Sequence, residues 1–162
     1  MMNFVARLLA RTEPTFAEAR PRDAAAIAAI HAVSFQRGWG EEEVSRLLID
    51  RAVVAHYAKI GGAKVAGALV GFILSRMAAG EAEILSVAIA PAQRRRGMAR
   101  PLLDLHLRRL AGLGTEAVFL EVDEHNAPAR RLYQRANFYE VGRRQGYYEG
   151  GAAALVLRRD LG

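Results

Sequence analysis

The residues from Ile89 to Ala99 carry the densest chemistry in this chain: an apolar run ending at Pro91, three arginines Arg94, Arg95 and Arg96, then Gly97, Met98 and Ala99. A strand that feeds a cationic turn and then a helix start makes an anion cradle. The helix N-terminus leaves about four backbone N–H groups unpaired and carries partial positive charge. Gly97 and Ala99 let a bulky phosphate approach that backbone, and arginine offers forked donors that match phosphate oxygens. The spacing is neither that of a P-loop nor that of a dinucleotide fingerprint. It reads as a diphosphate-binding loop, with a solvated basic turn as the plainer alternative.

Two further residues could move protons. Glu121 interrupts the apolar run Val118 to Val122 and shares a strand face with Phe119 and Asp123. Desolvation of a carboxylate on a mostly buried strand raises its pKa from about 4.3 toward the range of a useful base. The alternative is a glutamate at the sheet end paired with an arginine. Tyr133 follows twelve residues later on a helical stripe. Buried tyrosine hydroxyls usually find a partner, so Tyr133 is either a core aromatic or a proton donor. Asn126 reads as a helix N-cap, which accounts for it in full.

Those residues need a framework, and 162 residues suffice for a single domain with a real core. The expected domain fills the whole chain, with its core at about 15–160 and a short N-terminal extension over 1–14. The composition, 52% hydrophobic and 25% charged, is that of a soluble globular protein. With no cysteine, disulfides, thiolate zinc sites and a cysteine acyl-enzyme are excluded, and a cytoplasmic location fits. The N-terminal stretch lacks the apolar core of a secretory signal, and no run approaches a membrane span. The histidines His31, His56, His106 and His125 show no ligand spacing, so no metal is expected. A net charge of +6 suits an anionic cofactor or a substrate embedded in ribonucleoprotein. The arginine run has no interleaved aromatics, so direct nucleic-acid binding is not expected.

Periodicity and caps predict a strand at Thr15–Arg20 and helices over Arg22–Val33 and Glu41–Ile49, the first with Ile27, Ile30 and Val33 inward. Strands Ala52–Ile60 and Lys64–Ser75 are joined through Gly61-Gly62, and Glu81–Ala90 follows across Ala78-Ala79-Gly80. A helix from about Gly97 to Ala111, a strand at Ala117–Asp123, a helix from Asn126 to about Arg135, and strands at Phe138–Val141 and Ala153–Arg158 complete the order. A helix between two strands implies a parallel crossover. The fold class expected is α/β, a mixed, mostly antiparallel sheet with helices on both faces.

The ordered set Arg94-x-x-Gly97-x-Ala99, Leu120-Glu-Val122, Asn126-x-x-Ala129-x-x-Leu132-Tyr133 resembles the GNAT superfamily of N-acetyltransferases, and within it the bacterial ribosomal-protein-alanine branch. Leu85 to Pro91, Asn137-Phe138 and Tyr147-Tyr148 extend the resemblance over about Phe16 to Leu157. Ser34-Phe35 and Trp39 resemble that branch's substrate-side segment. The resemblance implies the acyl-coenzyme A N-acyltransferase fold, with acetyl-coenzyme A as co-substrate and no metal. It implies Glu121 as general base and Tyr133 as general acid toward the coenzyme thiolate. Val87, Ala88 and Ile89 would pair with pantetheine through their backbone, one N–H polarising the thioester carbonyl. Arg94 to Arg100, including Met98, would hold the pyrophosphate, and Asn126 would touch the coenzyme.

The implied reaction is direct transfer in a ternary complex to a protein N-terminal α-amine, the N-terminal alanine of a small-subunit ribosomal protein being the implied acceptor. A lysine side chain, a small-molecule amine, several protein N-termini, or a coenzyme A sensor without turnover remain alternatives. Two features depart from the pattern. Asn137 stands where relatives carry glycine, a position asparagine tolerates at positive φ. The loop with Glu149-Gly-Gly-Ala is shorter and more glycine-rich than in many relatives, and it borders the acceptor groove.

Overall fold

A computed structural model describes residues 13–61 and 68–162 of the chain. Seven strands form one sheet: β1 (Thr15–Glu18), β2 (Val53–Ile60), β3 (Ala68–Ala78), β4 (Glu81–Ile89), β5 (Ala117–Asp123), β6 (Tyr139–Arg144) and β7 (Ala154–Asp160). Their spatial order is β1-β2-β3-β4-β5-β7-β6, and only β4 and β5 run parallel. The parallel pair exists because helix α3 (Ala99–Gly112) intervenes between them and carries the chain back to the starting end. The helices α1 (Ala24–Ser34) and α2 (Glu41–Ile49) precede β2, and α4 (Ala127–Arg135) follows β5. The element order and the mixed sheet are those expected from the sequence.

Two apolar layers sandwich the sheet. Ile27, Ile30 and Val44 of α1 and α2 pack on Ala55, Phe72, Leu74 and Ala88. Leu102, Leu103, Leu107 and Leu110 of α3 and Tyr133 of α4 pack on Ile73, Val118, Leu120 and Leu155 across the other face. Pro101 falls in the first turn of α3, where its missing N–H costs nothing. Val33 departs from expectation. It is 66% exposed, because α1 turns Ala24, Ile27, Ala28, Ile30 and His31 inward instead. Gly62 of the expected hairpin turn and the N-terminal segment 1–12 lie outside the described residues.

A one-residue irregularity in β4 shapes the region that follows. Leu74 faces Ser86 whereas Ser75 faces Ile84, so Leu85 is an extra residue that bulges out of the ladder. The bulge reverses the alternation of β4. Before it, Ala82 and Ile84 face α3; after it, Ile89 does, and Ala88 turns to α1. β4 and β5 pair only over Glu81–Glu83 and Ala117–Phe119, then part. The sheet splits into a wedge.

Under α3 lies a buried polar chain. His56 Nδ1 is 2.8 Å from His106 Nδ1, and Ser75 Oγ is 2.6 Å from His106 Nε2. Burial depresses both imidazoles, His106 to about 3 with His56 adding to the shift. The unfolded chain therefore binds protons that the folded chain refuses, and stability present above pH 6.5 is lost as pH falls toward 3. At about 1.4 kcal/mol per pH unit, His106 alone should remove about 2 kcal/mol between pH 7.5 and 5. Urea unfolding at the two pH values measures this. His106→Gln should flatten the slope by that amount, and an equally steep slope in the variant would exclude the histidine as its source.

Candidate functional site

The wedge leaves backbone groups of β4 without a ladder. Ala90 N–H donates to Val70 O at 2.7 Å, so Ala90, and by alternation Ala88 and Ser86, are bonded toward β3. The N–H and C=O of Val87 and Ile89 then point away from β3 into the opening, where β5 has already diverged. Backbone groups in an apolar cleft require partners. Of the three residues of this segment singled out in the sequence, Val87 and Ile89 offer such groups and Ala88 does not. Gly71 makes this geometry possible from below. A Cβ there would lie 2.5 Å from the Ile89 side chain and 3.3 Å from Ala88 O.

The arginine loop sits at the end of β4, directly before α3. Pro91–Gln93 form a short 3₁₀ turn, Arg95 and Gly97 take φ of +63° and +73°, and Met98 is right-handed helical. Among the described residues no side chain caps α3, which leaves the N–H groups of its first turn open to a ligand. Left-handed Gly97 followed by right-handed Met98 aims successive N–H groups into a concavity suited to an anion. A side chain at position 97 would have room but would be strained at that φ.

The individual arginines differ in what they do. Arg94 Nε donates to Ile89 O at 2.9 Å and its Nη2 to Ser34 Oγ at 3.2 Å, so this guanidinium ties β4 to the end of α1. Arg100 pairs with Asp104 one turn along α3 at 3.0 Å. Met98 puts its side chain in the core, leaving only its backbone for a ligand. Arg95 and Arg96, exposed like Arg94 and Arg100, make no ion pair among the described residues.

Glu121 and Tyr133 lie on opposite sides of the sheet. Leu120 and Val122 face α3 and α4, so Glu121 between them projects toward the α1 side. Its environment is not the dry one expected. The side chain is 22% exposed and Oε1 lies 3.2 Å from Arg144 Nη2, the arginine-paired alternative. Tyr133 is 5% exposed, edge-on to Phe138 with ring centroids 5.5 Å apart. Burial pushes its phenol well above the usual tyrosine range, so the O–H stays intact at working pH. Among the described residues the hydroxyl makes no hydrogen bond. Asn126 caps α4, its Oδ1 accepting from Ala129 N–H at 3.2 Å. Asn137 takes φ of +64° in the turn into β6, as its residue type permits.

Two features escaped the sequence. His31, set aside for want of ligand spacing, accepts Trp39 N–H on Nδ1 at 2.9 Å and stacks on the Trp39 ring at 4.2 Å. It organises the turn between α1 and α2, and burial lowers its pKa. Tyr148 comes close to the Glu121 side: burial, then the Glu121 and Asp123 carboxylates, push its phenol up. Only the pairing of β6 with β7 brings that loop beside β5, and no local pattern reports such pairing. The loop itself is anchored by Glu124, which accepts from Arg143 Nη1 at 2.7 Å and from Ala153 N–H at 3.0 Å.

Known proteins share this architecture. The profile of the acetyltransferase (GNAT) family matches residues 24–138. The N-alpha-acetyltransferase RimI of Mycobacterium tuberculosis is 33% identical over 161 residues, covering 96% of this chain and 98% of that protein. An uncharacterized Mycobacterium leprae protein is 37% identical over 116 residues, and the match spans only 32% of its length. The ribosomal protein bS18-alanine N-acetyltransferase of Escherichia coli is 32% identical over 94 residues, 56% of this chain and 64% of that one. A crystal structure of the Escherichia coli ribosomal-protein-S18-alanine N-acetyltransferase superposes with a TM-score of 0.82 at 22% identity, covering 92% of this chain and 94% of that one.

Proposed function

The chain belongs to the acetyltransferase (GNAT) family, and from that premise we propose that it moves the acetyl group of acetyl-coenzyme A to the N-terminal α-amine of a protein, a ribosomal protein with N-terminal alanine in particular. The observation that carries this reading is the wedge between β4 and β5 ending at an uncapped helix. An extended amide-bearing arm has strand groups without a partner among the described residues to bond, the N–H and C=O of Val87 and the N–H of Ile89, and a diphosphate has the N-terminus of α3 with Gly97, Arg95 and Arg96. The residues fit coenzyme A: a strand-like arm and a dianion, in the order the chain presents them. A ribosomal acceptor implies work in the cytoplasm.

The chemistry follows from the two faces. An α-amine of pKa about 7.7–8.0 is largely protonated at pH 7 and must lose a proton before it attacks. Glu121, on the α1 side of β5, takes that proton, directly or through water. The amine attacks the thioester carbonyl in the wedge, and a β4 N–H stabilises the oxyanion. As the C–S bond breaks, the adduct's nitrogen loses its second proton to water, and the thiolate leaves toward the α4 side, where the Tyr133 hydroxyl donates to it. Base and donor on opposite sides of the sheet match a nucleophile and a leaving group on opposite sides of one carbonyl. Arg94 serves this site indirectly, through Ile89 O and Ser34.

The test is to incubate the chain with acetyl-coenzyme A and a panel of peptides bearing ribosomal-protein N-termini, lysine side chains with blocked N-termini, and free polyamines. Mass gain of one acetyl group is expected on the alanine N-termini. Acetylation confined to lysine peptides or polyamines would refute the acceptor assignment, and no transfer to any amine would refute turnover.

A further inference from the structure

Glu121 meets Arg144 across an unusual distance in the sheet. The two residues lie on strands that are not neighbours: β7 separates β5 from β6, with Ala154 facing both Asp123 and Arg144. The guanidinium crosses over β7 on the face where Ala154 and Val156 present small side chains, and ends 3.2 Å from the Glu121 carboxylate. It also lies 5.5 Å from the centre of the Tyr147 ring.

The direction of approach matters. β6 is on the side of β5 remote from β4. The ion pair therefore draws the carboxylate away from the wedge, where the amine must sit if Glu121 is the base. The amine arrives carrying the same charge as Arg144. Two cations cannot hold one carboxylate in this way without repulsion, and Arg144, 59% exposed, is the one with solvent to move into. Other charged and titratable groups near this face are Asp123 on β5, Tyr147 and Tyr148 on the loop, Arg158 on β7 above the Phe119 ring, and Glu83 on β4 opposite Phe119. The neighbouring Arg143 is held by Glu124 and stays out of the exchange.

We propose that Arg144 is a displaceable counter-ion: it occupies the Glu121 carboxylate in the enzyme without acceptor and gives it up to the acceptor's cationic α-amine. Arg144 is a positioning residue, and this role rests on the reading of Glu121 as base. It makes the site selective for acceptors that bring their own positive charge, since a neutral group cannot replace the guanidinium.

Half-exposed ion pairs add little to folding, so Arg144→Gln should fold normally. Arg144→Lys keeps the positive charge and should keep the peptide KM of the unaltered protein. With the competitor removed, the KM of an alanine-initiated peptide should fall about two- to fivefold in Arg144→Gln, while the KM of acetyl-coenzyme A stays unchanged. An unchanged or raised peptide KM in Arg144→Gln would overturn the exchange. Normal turnover in Glu121→Gln would overturn the base assignment and the exchange with it. An inactive Glu121→Gln together with an unchanged peptide KM in Arg144→Gln would overturn the exchange alone.

Discussion

Glu121→Gln is expected to keep its affinity for acetyl-coenzyme A and to lose about 10²–10⁴-fold in kcat at neutral pH, the usual contribution of a positioned general base. The amide has the shape of the carboxylate but cannot accept the ammonium proton. The coenzyme contacts proposed lie on β4, at the start of α3 and at Asn126, none of them on this side chain, so binding should be spared. The defect should shrink as pH rises toward and beyond the α-amine pKa, because the free amine no longer needs the base. Stability should change little: the lost partner is Arg144, an exposed side chain that water can satisfy. Calorimetric titration with acetyl-coenzyme A and a pH profile of kcat make the check. A variant running at the normal rate at pH 7 would make Glu121 a sheet-edge residue paired with an arginine, and nothing more.

Tyr133→Phe is expected to lower kcat by about tenfold or more while the thermal midpoint stays level or rises slightly. The structure decides the second half of that expectation. If the hydroxyl had a protein partner, its loss would cost about 0.5–1.5 kcal/mol. Among the described residues it has none, so its removal leaves no protein group without a partner. The ring keeps its place against Phe138. The kinetic loss should be smaller than at Glu121, because a thiol near pKa 8.5 makes a good leaving group. Burial raises the tyrosine's own ionisation well above that, so its contribution is a hydrogen bond to the developing thiolate with the O–H largely intact. Measuring kcat beside Tm separates the readings. A lower Tm at unchanged kcat would return Tyr133 to the core and leave the thiolate donor unassigned.

Arg94 shows the limit of a motif. The sequence placed it in the anion loop, and it is there, with its guanidinium donating to Ile89 O and Ser34 Oγ. Arginine type and position say that a forked cation is present; they do not say which of several acceptors within reach it takes. Glu121 is a similar case. Alternation on β5 correctly assigned its face, while the expectation of a dry environment failed because Arg144 reaches it from two strands away.

By itself the sequence determined whatever depends on near neighbours along the chain. The cap at Asn126, Pro101 in the first turn of α3, the left-handed Gly97 and Asn137, and the apolar stripes of α3 and α4 all follow from steric and hydrogen-bonding preferences within a few residues. The order of strands and helices, and the one parallel pair, follow from those elements together with the rule of the crossover. Tertiary structure alone decided the bulge at Leu85, the parting of β4 from β5, the burial of His106 against His56 and Ser75, and the reach of Arg144 over β7. Each depends on how separate elements align against one another, which no local pattern encodes. A slip of one residue in that register exchanges the two faces of a strand without altering its local pattern.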